Sequence, residues 1–370
     1  MTVLTSYSEQ EQMTVQSYKA GFDGGNTDTC FTSIDRYGHE TIIVIPSVVA
    51  ESSGETLEML RSAMHSTNEP QGLYRTDIKL ELNGTTYMVG YLPIRQLKLA
   101  STQKGDTTRY SSRDQLVRLL ATSALAIQDT RYELDLVTTV PLGYYSKQLR
   151  RDVKDALEGI HTFTMNGTTR QATIRVRKVM IEGVPAMVLY GSASNGQPRI
   201  IIDGGGYTTE FIYLDGNDPI KDNCDGIELG VEDIGNYVAE QINEKYSRKL
   251  TLRERADILH AYGSRRANVR VESMPVISYG KADIPHDELL AIVRKGCEKI
   301  GEKTANKAAS LWGVTNSVVA GDVRFQYHVG GSALFYNDVL RTRMPRLTAV
   351  SNAAEANARG SAQIAQALAG

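Results

Sequence analysis

The sequence predicts an α/β protein with a duplicated fold, in which two domains of similar size flank a cleft. The first observation behind this prediction is length, because 370 residues exceed what one hydrophobic core usually serves. The second is a thirteen-residue pattern that occurs twice, at residues 23–35 and 203–215, about half the chain apart. Each copy begins with Asp-Gly-Gly directly after a short apolar run. We therefore expect one copy in each domain, with the two copies facing each other.

Each copy of the pattern predicts a tight β-hairpin. Strand-like runs at Tyr18–Phe22 and Ile200–Ile202 precede the glycines, and a second run of strand character follows them. Glycine lets a turn bring backbone N–H groups close to an anion, and Asp23 and Asp203 can hold the water shell of a cation. The two hairpins together predict a site for a nucleotide phosphate chain with Mg²⁺. The alternative is that both Asp residues only form turns with their own backbone, but their duplication favours the metal-binding interpretation.

Composition narrows the class of protein. A net charge of −2, with 41% hydrophobic and 23% charged residues, is typical of a soluble globular protein and does not indicate direct binding to nucleic acid or lipid. The three cysteines, Cys30, Cys224 and Cys297, lack CxxC spacing, which argues against a disulfide framework and a zinc site. Residues 1–17 contain no apolar h-region, and no run of about 18 apolar residues occurs. We therefore expect a cytoplasmic protein without a membrane span, whose residues 1–17 form a mobile tail.

Turn signals organise the segment after the first hairpin. Arg36-Tyr37-Gly38 leads into a third strand at Thr41–Ile45, so a meander of three antiparallel strands is expected to end at Pro46. A small helix is expected around residues 57–63. Asn83-Gly84 then predicts a hairpin between two short strands, Lys79–Leu82 and Thr86–Val89.

The stretch Arg95–Arg109 contains Lys98, Lys104 and Arg109. Such a group of cations can be a partner surface, but a solvated loop is the more common outcome. We assign this stretch no chemistry.

The rest of the first half alternates helices and strands. Ser112-Arg113-Asp114-Gln115 is a capping-box pattern that predicts a buried helix over the following leucines. The other predicted elements are a strand at Leu134–Val140, a helix at Ser146–Leu157 and a hairpin over Thr162–Met180 that turns at Asn166-Gly167.

The second half is predicted to be mostly helical around its hairpin. The expected helices are Gly230–Tyr246, Leu252–Tyr262, Pro285–Leu311 and Asn352–Leu368. Gly263–Asp283 is turn-rich and polar. Phe325–Val329 alternates as a strand and is followed at once by Gly330-Gly331-Ser332.

These elements suggest where the domains begin and end. Residues 18–196 would form domain I, with a small inserted subdomain at about 46–92. The C-terminal helix, 351–370, would complete domain I. Residues 197–350 would form domain II, with its own inserted subdomain at about 228–285.

Three glycine-rich turns, each after a strand, together resemble the actin-like ATPase superfamily, which contains actin, MreB, the 70-kDa chaperones and sugar kinases. Its first phosphate hairpin, D-x-G-[ST/N], matches Asp23–Asn26, and its second, D-x-G-x-x-T, matches Asp203–Thr208. Its adenosine turn, hydrophobic-x-G-G, resembles Val329–Ser332. The resemblance covers nearly the whole chain. It implies an actin-like, ribonuclease H-like duplicated fold whose two domains flank a nucleotide cleft.

Within the superfamily the chain is most similar to plasmid-segregation actins of the ParM type and to related archaeal actin-like proteins. The stretches that carry this likeness are Asn83–Gly90, Val140–Leu142 with Tyr144-Tyr145, Val179–Pro185 and Asn357–Gly360. In ParM-type proteins a Glu before a short apolar residue and Pro points at the γ-phosphate, and Glu182 is the matching position. The alternative for Glu182 is an ordinary solvent-facing carboxylate at a strand end.

The resemblance also assigns the other candidate site residues. Asp23 and Asp203 would support catalysis beside Glu182 and would hold Mg²⁺ through water. The residues expected to contact ATP, or GTP in its place, are Gly24, Gly25, Asn26, Thr27, Gly204, Gly205, Gly206, Tyr207, Thr208, Gly330, Gly331 and Ser332. Glu210 is either a second water-orienting carboxylate or a residue of the hairpin face.

Two positions depart from the family pattern. The family usually has a lysine seven residues after the first Asp, where it reaches the β-phosphate, and this chain has Cys30 there. One charge contact to the phosphates is therefore missing, although a backbone cradle can hold phosphates unaided. Tyr207 stands where ParM-type proteins have a Thr.

The function implied is a filament-forming ATPase that moves DNA, with hydrolysis timing the filament. DNA would be reached through an adaptor protein, because this chain has no basic tail of its own. A small-molecule kinase of the same fold is the first alternative, but no Asp base facing a substrate pocket can be named. A nucleotide-gated binding protein that never polymerises is the second.

Overall fold

The computed structural model describes residues 15–52, 77–93, 107–190, 196–216, 218–266, 274–280 and 282–369. The small helix predicted around residues 57–63 lies outside these ranges, as do Lys98 and Lys104. Most of the predicted tail, 1–17, also lies outside them, but Gln16 and Ser17 already belong to the first strand.

The first half of the described chain builds one large mixed sheet. Its strands are β1 Gln16–Asp23, β2 Asp28–Ile34, β3 Glu40–Pro46, β4 Val49–Ser52, β5 Asp77–Leu82, β6 Thr85–Gly90, β7 Arg131–Val140, β8 Gly159–Met165 and β9 Thr168–Ile181. They lie in the order β3-β2-β1-β7-β9-β8-β5-β6-β4. β7 pairs in parallel with β1 and β9, and the other pairs are antiparallel. The predicted meander and both predicted hairpins are confirmed.

The second half builds a smaller sheet and two short ribbons. Its strands are β10 Arg199–Gly204, β11 Thr209–Asp215, β12 Asp218–Pro219, β13 Asp225–Ile227, β14 Ser278–Tyr279, β15 Ala282–Asp283, β16 Val314–Thr315, β17 Val318–Val319, β18 Phe325–Val329 and β19 Leu347–Ala349. The sheet order is β12-β11-β10-β18-β19, with β13 also paired to β11. β14 pairs with β15, and β16 with β17.

The helices of the described residues cover the two sheets. They are α1 Arg113–Ala126, α2 Lys147–Leu157, α3 Ala186–Tyr190, α4 Val231–Tyr246, α5 Leu252–Arg266, α6 His286–Trp312, α7 Ala333–Arg343 and α8 Ala356–Ala369. Sequence patterns predicted six of them and missed α3 and α7.

Helix α5 continues beyond its predicted end at Tyr262, so the turn-rich segment expected from Gly263 begins later than predicted. The reason is packing. A Cβ on Gly263 would lie 3.3 Å from Cζ of Phe335, so glycine lets the helix lie close to that ring. This contact offsets the low helix propensity of glycine, which costs about 1 kcal/mol.

The duplication predicted from the sequence is visible in the strand pairing. β1 is antiparallel to β2 and parallel to β7, and β10 is antiparallel to β11 and parallel to β18. Asp23 pairs with Cys30 in the first hairpin, and Asp203 pairs with Glu210 in the second. The predicted fold class, a duplicated α/β fold with two domains, is therefore confirmed.

Each sheet has its own hydrophobic core, and a third cluster joins them. Phe22 and Phe31 belong to the first core, and Ile202 and Phe211, at the matching hairpin positions, belong to the second. The third cluster combines residues of α3, β10, β18 and the start of α8. Within the described ranges, no helix is both long and apolar enough to cross a bilayer.

Candidate functional site

The two aspartates that lead the hairpins meet at one amide group. Asn357, in the first turn of α8, donates from Nδ2 to Oδ2 of Asp203 at 2.7 Å and to Oδ2 of Asp23 at 3.3 Å. Its Oδ1 accepts from the backbone N–H of Gly183 at 2.8 Å. Since Gly183 follows Glu182, this single side chain links both hairpins to the segment that carries the predicted catalytic carboxylate.

Sequence reasoning placed Asn357 in a matching stretch but gave it no role. One signal was present, because asparagine is a poor helix former within the alanine-rich sequence of α8. Asn357 is only 5% exposed. A buried polar side chain in a helical turn indicates that it has polar partners.

Four carboxyl groups share this region, with Asp203 and Glu210 buried and Asp23 and Glu182 half-buried, and desolvation raises the pKa of each. The pKa of Asp203 rises to about 7 through burial, with Asn357 opposing the rise, and that of Asp23 rises for the same reason. Burial, followed by the charges of Asp23 and Glu210, holds the pKa of Glu182 well above its ordinary range. Glu210, 1% exposed, has a pKa of about 8 through burial and the charge of Asp203. Sequence reasoning left the role of Glu210 open, and the fold places it in this cluster.

Two buried arginines hold the backbone of the first hairpin. Arg109 donates from Nη2 to the carbonyl oxygen of Gly24 at 2.8 Å, and Arg118 donates from Nη1 to that of Gly25 at 3.0 Å. The Ser47 hydroxyl also donates to the Gly25 carbonyl, at 2.7 Å. In a trans peptide the C=O and the next N–H point in opposite directions. The N–H groups that follow these two carbonyls therefore point away from the arginines.

Arg109 corrects a sequence-based prediction. It was expected in a solvated loop without chemistry, yet it is 6% exposed and contacts the first hairpin. It lies in the short 3₁₀ helix Thr107–Ser111 that leads into α1, and its guanidinium stacks over the Tyr110 ring at 4.7 Å. Its partner Gly24 is 85 residues away in the sequence, so no local pattern could indicate the contact.

Gln115 is a second residue whose role differs from the one predicted. Ser112 caps α1 by accepting from the Gln115 backbone N–H at 3.3 Å, as the capping-box pattern indicates. The Gln115 side chain does not close the box, and instead accepts from Nη2 of Arg118. A Cβ on Gly24 would lie 1.9 Å from its Nε2, so Gln115 packs directly beneath the first hairpin.

The two hairpins touch where the Thr27 side chain of the first packs against Gly206 of the second. A Cβ on Gly206 would lie 1.8 Å from Oγ1 of Thr27, so only a glycine allows this contact. The carbonyls of Gly205 and Gly206 accept from the first N–H groups of α4, at 3.1 and 2.8 Å. The N-terminus of α4 therefore fixes the backbone of the second hairpin. Within the hairpin, the Gly205 N–H donates to the Thr208 carbonyl at 2.8 Å.

The third glycine-rich turn packs against the second hairpin. The Ser332 N–H donates to the Gly204 carbonyl at 2.9 Å, and the Ser332 hydroxyl lies 2.9 Å from Nε2 of His328. Burial lowers the pKa of His328 to about 4, which keeps its ring neutral. Gly330 has φ of 77°, and a Cβ on Gly331 would meet nothing within 4 Å. Of the residues predicted to contact a nucleotide here, Gly331 faces open space and Ser332 is fully buried between protein groups.

Several buried polar atoms of this region have no hydrogen-bond partner among the described residues: Asn26 Oδ1, Thr27 Oγ1, Arg109 Nε and Glu210 Oε2. Buried polar atoms are almost always bonded, so unpaired ones mark a place for a polar ligand. The donors among them, Thr27 Oγ1 and Arg109 Nε, suit a phosphate group, and the acceptors, Asn26 Oδ1 and Glu210 Oε2, suit water or a hydrated cation beside it.

Two predicted site residues lie beside this cradle. Cys30 is 3% exposed, and burial, together with the charge of Asp23, raises the pKa of its thiol well above the ordinary value, so it provides no charge. Tyr207 is half-buried, and burial raises its pKa to about 12. In the described part of the chain no three His, Cys, Asp or Glu side chains form a metal-binding group by themselves.

Comparison with known proteins agrees with this architecture. Residues 21–184 match the family model described as the N-terminal domain of actin-like proteins. Ta0583, an archaeal actin homolog, superposes with a TM-score of 0.69 at 20% identity, covering 95% of this chain and 100% of that one. Bacillus thuringiensis ParM with ATP superposes with a TM-score of 0.64 at 16% identity, covering 95% and 98%.

A third similar structure is a non-polymerisable quadruple mutant of pCBH ParM. Its TM-score is 0.70 at 17% identity, and the alignment covers 95% of this chain and 99% of that one. At these identities the likeness establishes the fold. No curated protein matches the sequence significantly.

Proposed function

Because residues 21–184 belong to the actin-like proteins and the whole chain has the actin-like fold, we propose that this protein is a nucleotide-dependent, filament-forming ATPase. The observation that carries the proposal is the meeting of Asp23 and Asp203 at Asn357. Two copies of one phosphate-binding pattern, from different domains, face each other there across a few ångströms.

ATP is the proposed substrate, and GTP is the alternative purine nucleotide. The peptide N–H groups of both hairpins would bind the phosphates. The carbonyl oxygens of the same peptides already accept hydrogen bonds from Arg109, Arg118 and the N-terminus of α4, which fixes the direction of the N–H groups. The unpaired Thr27 hydroxyl and Asn26 side chain lie on the same cradle. Gly331 would leave room for the purine, since a side chain there would project into open space, whereas Gly330 packs against Asp203 and the Gly204 carbonyl.

Asp23 and Asp203 would hold Mg²⁺ through water, with the phosphates as the other ligands. Mg²⁺ prefers this arrangement, with few protein ligands and several waters. When bound, the ion supplies positive charge that stabilises the transferring phosphoryl group. The raised pKa values of the two carboxyl groups would fall when a cation binds beside them.

Glu182 would orient the water that attacks the γ-phosphate. It lies directly after β9, between the two hairpins, and its backbone neighbour Gly183 is fixed by Asn357. Its raised pKa, caused by burial and the neighbouring carboxylates, makes the ionised group a stronger base than an ordinary glutamate. Glu210, whose Oε2 has no partner among the described residues, would be the second carboxylate near that water.

Self-association is supported by one structural neighbour, and a role in DNA segregation rests on the ParM-type sequence resemblance alone. The pCBH ParM neighbour is a mutant made non-polymerisable, and the B. thuringiensis ParM neighbour was crystallised with ATP. Because the hairpins lie on different domains, loss of the γ-phosphate would release one domain from the other and weaken contacts between subunits. An adaptor protein would connect the filament to DNA, and the protein would act in the cytoplasm.

The test is 90° light scattering with phosphate release after addition of Mg-ATP, for wild type and Glu182→Gln. We expect wild-type scattering to rise and then decay as phosphate appears. In Glu182→Gln the scattering should persist, with hydrolysis slowed by about 10²- to 10⁴-fold. Glu302→Gln, at an exposed position of α6, is the matched control and should behave as wild type. Phosphate release without scattering at any protein concentration would contradict the filament, and hydrolysis that depends on an added sugar would favour the kinase.

A further inference from the structure

The charges around the two hairpins are unbalanced. Four carboxyl groups lie here, the buried ones of Asp203 and Glu210 and the half-buried ones of Asp23 and Glu182. Among the described residues, the buried cations that bond the glycine turn of the first hairpin are Arg109 of the Thr107–Ser111 turn and Arg118 of α1. The position of the first hairpin that pairs with Asp23 carries the neutral thiol of Cys30. A phosphate chain would add further negative charge, so one of the two arginines must have donors to spare for it.

Arg118 uses four of its five N–H donors within the protein. Its Nη1 donates to the Gly25 carbonyl at 3.0 Å and to the Thr29 hydroxyl at 3.1 Å. Its Nη2 donates to Gln115, and its Nε to the Asp114 carbonyl at 3.4 Å. Every nitrogen of this guanidinium therefore already has an acceptor within the protein, and its role is to hold α1 against the first hairpin.

Arg109 differs from Arg118 in this respect. Nη2 of Arg109 donates to the Gly24 carbonyl, but Nε has no acceptor among the described residues. The side chain is only 6% exposed, so solvent does not supply that acceptor. A guanidinium presents several donors in one plane, so a group bound at Nε can also use a neighbouring nitrogen. An unpaired N–H on a buried cation is costly unless a ligand completes it.

The charge of Arg109 acts on both halves of the site. Burial raises the pKa of Asp23 in the first hairpin and of Tyr207 in the second. The positive charge of Arg109 is one of the smaller effects that oppose both rises. It also opposes the rise in the pKa of Glu182 that burial and Asp23 cause. Arg109 therefore lies within electrostatic reach of the hairpins and of the carboxylate proposed to orient water.

We infer that Arg109 is the protein cation that binds the terminal phosphates of the nucleotide, through the donor edge that its bond to Gly24 leaves unused. This inference rests on the proposed nucleotide site and adds a residue to it. It also makes the Thr107–Ser111 turn part of the binding site. The same side chain holds the first hairpin in shape, so phosphate binding and hairpin geometry depend on one residue.

The test is competition binding of Mg-ATP, Mg-ADP and AMP to wild type, Arg109→Met and Arg109→Lys. We expect Arg109→Met to lower the binding affinity for Mg-ATP and Mg-ADP by about 10- to 100-fold, the usual effect of losing a hydrogen bond to a charged group. AMP, which lacks the terminal phosphates, should change by less than about threefold. Arg109→Lys keeps the charge and should recover much of the loss, which also covers the case in which Arg109→Met fails to fold.

The matched control is Arg170→Met. Arg170 also donates to backbone carbonyls, those of Ile127 and Asp129, and also has an unpaired Nε, but it lies away from both hairpins. We expect its nucleotide affinities to equal those of wild type. If a folded Arg109 variant lost the same affinity for ATP and AMP, or lost no affinity at all, the inference about Arg109 would be overturned and the proposed function would stand. Absence of nucleotide binding by wild type would overturn the proposed function as well.

Discussion

Asn357 is a single neutral amide that organises a cluster of carboxyl groups. Two carboxylates at this separation repel each other when both are charged. The Nδ2 group has two hydrogens, one for Asp23 and one for Asp203, while Oδ1 receives the Gly183 N–H. The spacing of the two aspartates is therefore set by α8, and the site can exist before any cation enters.

We expect Asn357→Asp to destabilise the nucleotide-free protein. The substitution keeps the shape of the side chain but removes both donors and adds a carboxyl group to the cluster. A lost hydrogen bond to a charged group costs about 1.5–3 kcal/mol, so the denaturation midpoint should fall clearly. Chemical denaturation followed by circular dichroism measures this. Gln366→Glu, the same chemical change at an exposed position of α8, should leave the midpoint unchanged, and equal midpoints for both variants would contradict the bridging role.

At the scale of the elements, the two hairpins form a clamp whose faces are bare backbone. Gly206 lies against Thr27, Gly24 lies against Gln115, and Gly204 lies against Ser332, each at a distance that a methyl group would not fit. Arg109 and Arg118 bond carbonyl oxygens of the first hairpin, which leaves the N–H groups that follow those carbonyls to a ligand.

We expect Gly206→Ala to weaken nucleotide binding by at least about tenfold. Its Cβ would lie 1.8 Å from the Thr27 hydroxyl and would force the two hairpins apart. A misplacement of about 1 Å in a positioned site is enough for such a loss. Gly321→Ala is the matched control, because Gly321 lies outside both hairpins and its Cβ would meet nothing closer than 3.6 Å. Titration with a fluorescent ATP analogue compares them, and similar affinities for the two variants would contradict the idea that direct contact of the turns sets the site.

The strands and hairpins could be predicted because their signals are local. Asn83-Gly84 and Asn166-Gly167 both adopt the left-handed turn that their sequence indicates. The contacts of Arg109 and Asn357 could not be predicted from the residues alone, since their partners lie 85 and 334 residues away. Helix α3 was missed because it is only five residues long, and β19 because three residues are too few for a period to show.

At the scale of the whole molecule, the carboxyl cluster lies where two separately packed halves meet. Each sheet has its own core, and the third cluster of α3, β10, β18 and α8 connects them. Across the cleft, the Tyr144 hydroxyl lies 3.2 Å from Oε1 of Glu228. The charge state of the cluster therefore affects how firmly the halves hold together.

We expect the nucleotide-free protein to lose stability as pH rises from about 6.5 to 8. Burial raises the pKa of Asp203 to about 7 and that of Glu210 to about 8, so the folded state holds these protons more tightly than the unfolded chain. Such groups stabilise the fold fully below the unfolded pKa, and this contribution is lost as pH rises through the folded pKa. His328, whose pKa falls to about 4, has the opposite effect only below about pH 6.5.

Denaturation midpoints measured without divalent cations across this range check the expectation. Asp203→Asn should show a shallower slope, because one of the titrating groups is gone. Mg-ATP affinity should change in the opposite direction and tighten as the carboxyl groups lose their protons. A midpoint that rises from pH 6.5 to 8 in wild type would show that these groups do not titrate in the folded protein.

The packing of α8 has a consequence for biosynthesis. β1 leaves the ribosome before any other described strand, yet it packs against α8, the last of the described helices to emerge, with Gly21 directly beneath the Ala358 carbonyl. A nascent chain can form both hairpins early, but it cannot join Asp23 to Asp203 until residue 357 has emerged. Shortened or interrupted chains would remain with an open cleft, and under the proposed function they would be kept out of the polymer that finished chains form.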